Sequence, residues 1–127
     1  MPENDDLSER LTDFAVRVIK LSTSLPGNQV GRHISAQLLR SGTSAGANYE
    51  EARGAESRAD FVHKTGIALK ELKETRYWLR LVARTRLIKP TRIDSLLGEC
   101  EQLCAILASS FLTAKRTPVS KPSTVRT

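Results

Sequence analysis

Aromatic residues are scarce in this sequence: they make up 5% of its 127 residues, whereas 39% of the residues are hydrophobic. The core must therefore be built mostly from aliphatic side chains, and such a core suits helices better than a strand-rich sandwich. A chain of this length fits one domain, and a compact fold would bury roughly two thirds of the surface that the unfolded chain exposes. The composition favours a single helical domain.

Long hydrophobic runs are also missing. No apolar run approaches the roughly 18 to 20 residues that are needed to span a bilayer. The first ten residues, "MPENDDLSER", are acidic and contain no hydrophobic signal core. We therefore expect a cytoplasmic protein that does not bind a membrane.

Cysteine is a third scarce residue type, represented by Cys100 and Cys104. They lie four positions apart on one predicted helix face, where the geometry for a disulfide is poor. His33 and His63 lie far away in sequence, in segments without metal-ligand spacing. We interpret the two thiols as small buried hydrophobic side chains, and we predict neither a metal ion nor a cofactor.

Apolar residues recur at intervals of three and four in four segments, which is the period of an amphipathic helix. Turn-forming residues separate these segments, at Pro26, Gly54 and Pro90. Ser57 and Thr91 each precede an aspartate by three residues, as in a variant of the capping box. The predicted helices span, approximately, residues 7–25, 29–53, 57–87 and 91–114. Because short connections make neighbouring helices run in opposite directions, the predicted fold is an all-α, antiparallel up-down-up-down four-helix bundle.

The segment after the fourth helix, residues 115–127, has two prolines, four basic residues and no acidic residue. This composition predicts a basic, disordered tail.

Val30 in the second helix and Leu97 in the fourth are predicted to belong to the apolar faces of those helices.

The apolar face of the second helix turns small and polar in "QLLRSGTSAGANYEEA", residues 37–52. If the second and third helices are antiparallel and the chain reverses near residues 54–56, the numbers of contacting residues sum to roughly 112. This register predicts that Arg40 lies opposite Glu71 or Thr75, and that Asn48 and Glu51 lie opposite Lys64.

Buried polar groups need partners, so we interpret these residues as a hydrogen-bonded polar seam that fixes the register of the two helices. The polar seam consists of Gln37, Arg40, Ser44, Asn48, Glu51, Lys64, Glu71 and Thr75. In the alternative interpretation, several of the same residues line a ligand-binding or catalytic site. The sequence has no HExxH motif, no phosphate-binding glycine loop and no visible set of nucleophile, base and orienting residue. We therefore predict that the protein is not an enzyme.

Two segments, "QLLRSGTSAGANYEEA" and "FVHKTGIALKELKETRYWLRLV" at residues 61–82, resemble the 23S rRNA intervening-sequence proteins, a family of four-helix bundles. The matching elements are Gln37, Arg40, Ser44, Asn48, Glu51, Phe61, Lys64, residues 68–71, Glu74, Thr75 and residues 77–79. The resemblance implies an antiparallel bundle that assembles into a ring-like homopentamer, and it implies no activity. A distant relative with the same bundle, the accessory variability protein of diversity-generating retroelements, is associated with reverse transcriptase and nucleic acid. The resemblance therefore points to RNA or DNA as a partner.

A basic stripe on the third helix supports the same partner. The chain carries a formal net charge of +6, and its pI is about 9.7. On a helical wheel five cations fall within about 120° of one another, away from the apolar face. This basic face consists of Lys70, Lys73, Arg76, Arg80 and Arg84. Cations at helical spacing suit contacts with a phosphate backbone.

Alternatives to this function stay open. In these alternatives the basic face is a solvated surface, or it is covered by a neighbouring subunit or by the acidic N-terminal segment. In that case the protein is a protein-interaction scaffold without nucleic-acid binding, and Tyr77, Trp78 and Leu81 form the interface.

Overall fold

The computed structural model describes residues 6–116, which form four α-helices and the turns between them. The helices are α1 (Asp6–Thr23), α2 (Gln29–Arg53), α3 (Arg58–Thr85) and α4 (Pro90–Arg116). These residues contain no strand. Helix α4 includes Lys115 and Arg116, the first two residues of the predicted tail, and the rest of that tail lies outside the described residues. The predicted all-α class is confirmed.

Side-chain caps account for where two of the helices begin. The side chain of Asn28 accepts a hydrogen bond from the Gly31 amide at 2.9 Å, and the hydroxyl of Ser57 accepts one from the Asp60 amide at 3.0 Å. Each cap satisfies an amide that has no partner within its helix. The predicted cap at Thr91 is wrong, because α4 already begins at Pro90, whose fixed φ angle suits the first position of a helix.

Each helix packs against two neighbours. Helix α2 contacts α1 and α3, and α4 contacts α3 and α1, whereas no Cα atoms of the diagonal pairs lie within 8 Å of each other in residues 6–116. This is the arrangement of an up-down-up-down bundle, so the predicted architecture is confirmed. Polar side chains join α1 to α4: the Arg10 guanidinium donates to both oxygens of Glu99, at 2.8 and 3.1 Å, and Arg17 donates to Ser95 at 2.9 Å.

The core is aliphatic, as the composition predicts. Its largest fully buried hydrophobic side chains are Leu11, Phe14, Val18, Leu38, Leu72, Leu79, Val82, Ile93, Leu103 and Leu107. Two predicted members differ. Val30 is 55% exposed, because it lies at the edge of α2 beside an open cavity, and Leu97 is half-buried because Leu96 takes the core position.

Small residues of α2 let α1 approach closely. A Cβ atom added to Gly42 would lie 2.7 Å from a methyl carbon of Val18, which is closer than real Cβ contacts allow. At Gly46 the nearest atom, the Cβ of Leu11, would be 3.6 Å away, an ordinary contact distance. The small residues between 41 and 46 therefore serve the packing of α1 against α2 as well as the contacts with α3.

Helix α4 is long and apolar enough to cross a membrane by length and composition, although no span was expected from the sequence. It is the one such helix among the described residues. Its residues Ile93, Leu96, Cys100, Leu103 and Leu107 are buried against the other helices. Because a core helix of a bundle meets the same criterion, this finding is weak evidence for a membrane span.

Candidate nucleic-acid interface

The basic face lies on the side of α3 that is opposite the core. Leu72, Thr75 and Leu79 of α3 are fully buried, whereas Lys70, Lys73, Arg80 and Arg84 are exposed and Arg76 is half-buried. None of these five cations forms a salt bridge with a described residue. The structure therefore presents the predicted stripe as a row of positive charges without ionic partners in residues 6–116.

The acidic residues of α3 are held on a different edge. Glu71 and Glu74 face α2, where both pair with Arg40, and the distance from the Arg40 guanidinium to Glu71 is 3.0 Å. Arg40 also donates to the side-chain oxygen of Gln37 at 3.1 Å. The charges of the two carboxylates are thus partly neutralised away from the basic face.

The polar seam is partly as predicted. Arg40 contacts Glu71, and Lys64 donates to Glu51 at 2.5 Å, as the register of α2 and α3 requires. These ion pairs lie at the surface, because the side chains of Arg40 and Glu51 are 46% and 58% exposed. The buried polar contact is a different one: the Thr75 hydroxyl shares its proton between the Ser41 hydroxyl at 2.9 Å and the Glu71 carbonyl at 2.8 Å.

Other members of the polar seam have different partners from those expected. Asn48 does not pair with Lys64; its amide donates to the backbone carbonyl of Ser44 at 2.9 Å, within α2. A bond of this kind satisfies a half-buried amide without help from a second helix. Thr75 pairs with Ser41 and not with Arg40, since Arg40 points outwards.

Lys64 does not have the environment of a catalytic base. The hydrogen bond to Glu51 and the charge of that carboxylate raise the pKa of Lys64 above its ordinary value. A lysine acting as a general base near neutral pH needs the opposite shift. No group of three or more His, Cys, Asp or Glu residues that could hold a metal ion occurs within residues 6–116.

The two cysteines lie behind the basic face. Both are buried, and the Cys100 thiol donates to the carbonyl of Leu72 at 3.5 Å. The adjacent Cys100 thiol and the charges of Arg76 and Lys73 together lower the pKa of Cys104 to about 7. The adjacent Cys104 thiol, together with burial, raises the pKa of Cys100. The thiols occupy core positions, as predicted for small hydrophobic side chains.

A cation of α4 adds to the basic face. Lys115 lies over the ring of Phe111, with its Nζ 5.4 Å from the ring centroid. Phe111 in turn lines a shallow cavity of about 230 Å³ with Lys70 and Lys73. Lys115 was predicted to belong to the tail; the antiparallel packing of α4 on α3 was the signal that could have placed it here.

A second surface feature borders the basic face where α2 begins and α3 ends. This aromatic cleft has a volume of about 470 Å³ and is lined by Gln29, Val30, His33, Ile34, Trp78 and Leu81. The ring of Trp78 meets the ring of His33 edge-on at 5.7 Å, and it meets the ring of Tyr77 edge-on at 5.1 Å. His33 was not among the predicted site residues, although the predicted register places it opposite Trp78.

Comparisons with known proteins agree on the family. The family model described as 23S rRNA-intervening sequence protein matches residues 3–109. Among solved structures, the chain is similar to a protein of unknown function from the S23 ribosomal protein family of Bacteroides thetaiotaomicron. The TM-score is 0.78 at 42% sequence identity, over 83% of this chain and 97% of that chain. No curated protein matches the chain. The family model covers most of the chain, and we conclude that the protein belongs to the 23S rRNA-intervening sequence protein family.

Proposed function

We propose that this protein is a non-enzymatic helical scaffold that binds RNA or DNA through the basic face, without strong sequence preference and without a cofactor. The observation that carries the proposal is the row of five cations of α3 that have no salt-bridge partner among the described residues. Unpaired cations at helical spacing can each contact a phosphate and release a counterion.

The chemistry of the basic face favours contacts with phosphates over base reading. Lysine and arginine supply its polar groups, and no asparagine, glutamine or acidic side chain lies among the five positions on that face of α3. Phosphate contacts position a nucleic acid but carry no sequence information directly. The names of the family and of the solved relative refer to ribosomal RNA and to ribosomal proteins, which makes RNA the first ligand to test.

The proposal includes assembly into a homopentamer, which rests on the family resemblance. Five copies would array five basic faces, so that weak contacts of single faces would add up on one long nucleic acid. Such multivalency raises the overall affinity without any new contact, provided that the faces can be reached at the same time.

Charge reversal tests the proposal. The variant Arg76→Glu with Arg80→Glu should abolish the binding of a labelled RNA hairpin while the far-ultraviolet circular dichroism and the oligomer mass stay unchanged. The matched control is Lys20→Glu with Lys89→Glu, which reverses two exposed cations on other parts of the surface. Equal binding by wild type and the α3 variant would refute the proposal.

A second candidate function is a protein-interaction scaffold that binds no nucleic acid. It is favoured by the exposed apolar surface around the aromatic cleft, where Val30 and Tyr77 are 55% and 56% exposed. Under this function Trp78→Ala would lower the oligomer mass or release a protein partner, and the arginine changes of the basic face would have little effect.

A further inference from the structure

We propose that the aromatic cleft holds an unpaired nucleobase of a single-stranded or looped nucleic acid whose backbone lies along the basic face. This inference rests on the proposed function, because it names the class of nucleic acid that the same surface selects. The cleft itself is a separate observation, since none of the five cations of the basic face lines it.

The cleft and the basic face are contiguous. Tyr77, Arg80, Leu81 and Arg84 line a cavity of about 260 Å³ on the surface of α3, and Leu81 also lines the aromatic cleft. A nucleotide whose phosphate contacts Arg80 or Arg84 would therefore have its base beside the rings of Tyr77 and Trp78. A cationic groove next to aromatic side chains is the arrangement by which proteins bind single strands.

Tyr77, which is 56% exposed, offers a ring on which a base can stack. Trp78 meets His33 at an interplanar angle of 78° and Tyr77 at 72°, so these contacts do not use parallel stacking. The Trp78 ring is also fixed in place, because its indole N–H donates to Glu74 at 3.1 Å and Glu74 is held by Arg40. A ring that is already fixed loses little conformational entropy when a base stacks on it.

The shape and polarity of the cleft also suit a base. Its volume of about 470 Å³ lies within the range of small-molecule sites, roughly 300–1,000 Å³. Its walls are mostly apolar, while Gln29 and His33 provide hydrogen-bonding groups that could meet the edge of a base. Bases in a duplex are stacked and paired inside the helix, so a base enters such a cleft from a single strand, a loop or a bulge.

The charges around the cleft favour a nucleic acid over a protein partner. Among the described residues no acidic side chain lines the cleft, and Arg80 and Arg84 lie on the flank of the cleft. Glu74, which contacts the Trp78 indole, is paired with Arg40. The first turn of α2, which forms one wall, contains no acidic residue, so the positive end of that helix is not neutralised there. An apolar protein segment could fill the cleft but would leave these positive charges unmatched.

The sole tryptophan of the chain, Trp78, gives a direct signal for occupation of the cleft. The experiment titrates the full chain with three probes of equal phosphate number: a single-stranded RNA oligonucleotide, an abasic oligonucleotide with the same backbone, and an RNA duplex. Both Trp78 fluorescence and the affinity from anisotropy of a labelled probe are recorded. We expect the single strand alone to quench Trp78 fluorescence, and we expect it to bind on the order of 10-fold more tightly than the abasic probe.

Two variants test the aromatic surface that continues from the cleft onto Tyr77, whose ring contacts Trp78 but does not line the cleft itself. Tyr77→Ala removes an exposed ring, and it should bring the affinity for the single strand down to that for the abasic probe. Ile106→Ala, which shortens an exposed apolar side chain of α4, is the matched control and should keep the difference between the two probes. Circular dichroism and light scattering on both variants check the fold and the oligomer mass.

The possible results distinguish the base-binding cleft from the phosphate-binding face. Equal, salt-sensitive binding of all three probes without quenching would overturn the base-binding cleft and leave the phosphate-binding face intact. Binding of none of the probes would overturn both proposals. A lower oligomer mass in Tyr77→Ala, with unchanged preference for the single strand, would assign the cleft to a protein interface and would also overturn this inference.

Discussion

Gly42 of α2 faces Val18 of α1 so closely that a Cβ atom on Gly42 would lie 2.7 Å from a Val18 methyl carbon. We therefore expect Gly42→Ala to destabilise the bundle by about 1–3 kcal/mol, because Val18 is fully buried and has little room to move. Gly98→Ala in α4 is the control, since no atom of residues 6–116 outside its own helix turn lies within 4 Å of the added atom, and it should stabilise by about 1 kcal/mol through helix propensity. Urea unfolding measures both changes, and a Gly42 variant as stable as wild type would contradict the close packing of α1 on α2.

The buried contact between Ser41 and Thr75 predicts a modest loss of stability in Thr75→Val. The change removes the hydroxyl that donates to Ser41 at 2.9 Å, while Ser41 keeps its own bond to the carbonyl of Gln37 at 2.8 Å. Because no buried donor is left without a partner, the expected cost is about 1 kcal/mol. Thr85→Val, at an exposed position of the same helix, should stay within about 0.5 kcal/mol of wild type. If Thr75→Val cost no more than this control, the contact would not fix the register.

The surface position of the pair between Lys64 and Glu51 predicts that Lys64→Met keeps the fold. Both side chains are partly exposed, so neither charge is buried when its partner is removed. We also expect labelled RNA and DNA to stay intact during incubation with the wild-type protein. Cleavage by the wild type, lost in Lys64→Met with the circular dichroism unchanged, would contradict the non-enzymatic proposal and would favour a catalytic site at the polar seam.

The proposed assembly predicts a particle of five times the 14.1 kDa of one chain. Light scattering with size-exclusion chromatography measures this mass directly. The Arg76→Glu with Arg80→Glu variant should give the same mass as wild type, because the proposal assigns these residues to nucleic acid. A monomer would refute the pentamer and, with it, the multivalent binding.

The overall fold was predictable because its determinants are local. The intervals of three and four between apolar residues define each helix, and Pro26, Gly54 and Pro90 mark the turns. With α2 and α3 antiparallel, the length of the turn alone set the register that brings Arg40 to Glu71.

Residues at the helix edges were harder to predict. Val30 satisfies the apolar period of α2, yet it is exposed because the period does not show whether a neighbouring helix covers that edge. The contact between His33 and Trp78 was also missed. Both residues obey the register rule, but their contact depends on the directions of two side chains on different helices. The side-chain amide of Asn48 donates to a carbonyl of its own helix, and a rule for pairing two helices does not consider such a bond.

The central claim, that the basic face contacts phosphates, is tested most directly by the salt dependence of binding. Fluorescence anisotropy of a labelled structured RNA, and of a duplex DNA of equal length, is measured against protein concentration at low and at moderate salt. If each of the five cations of one basic face contacts a phosphate of duplex DNA, log affinity should fall with log salt concentration with a slope of about −4.5. Absence of binding at low salt, where electrostatic attraction is strongest, would contradict the account.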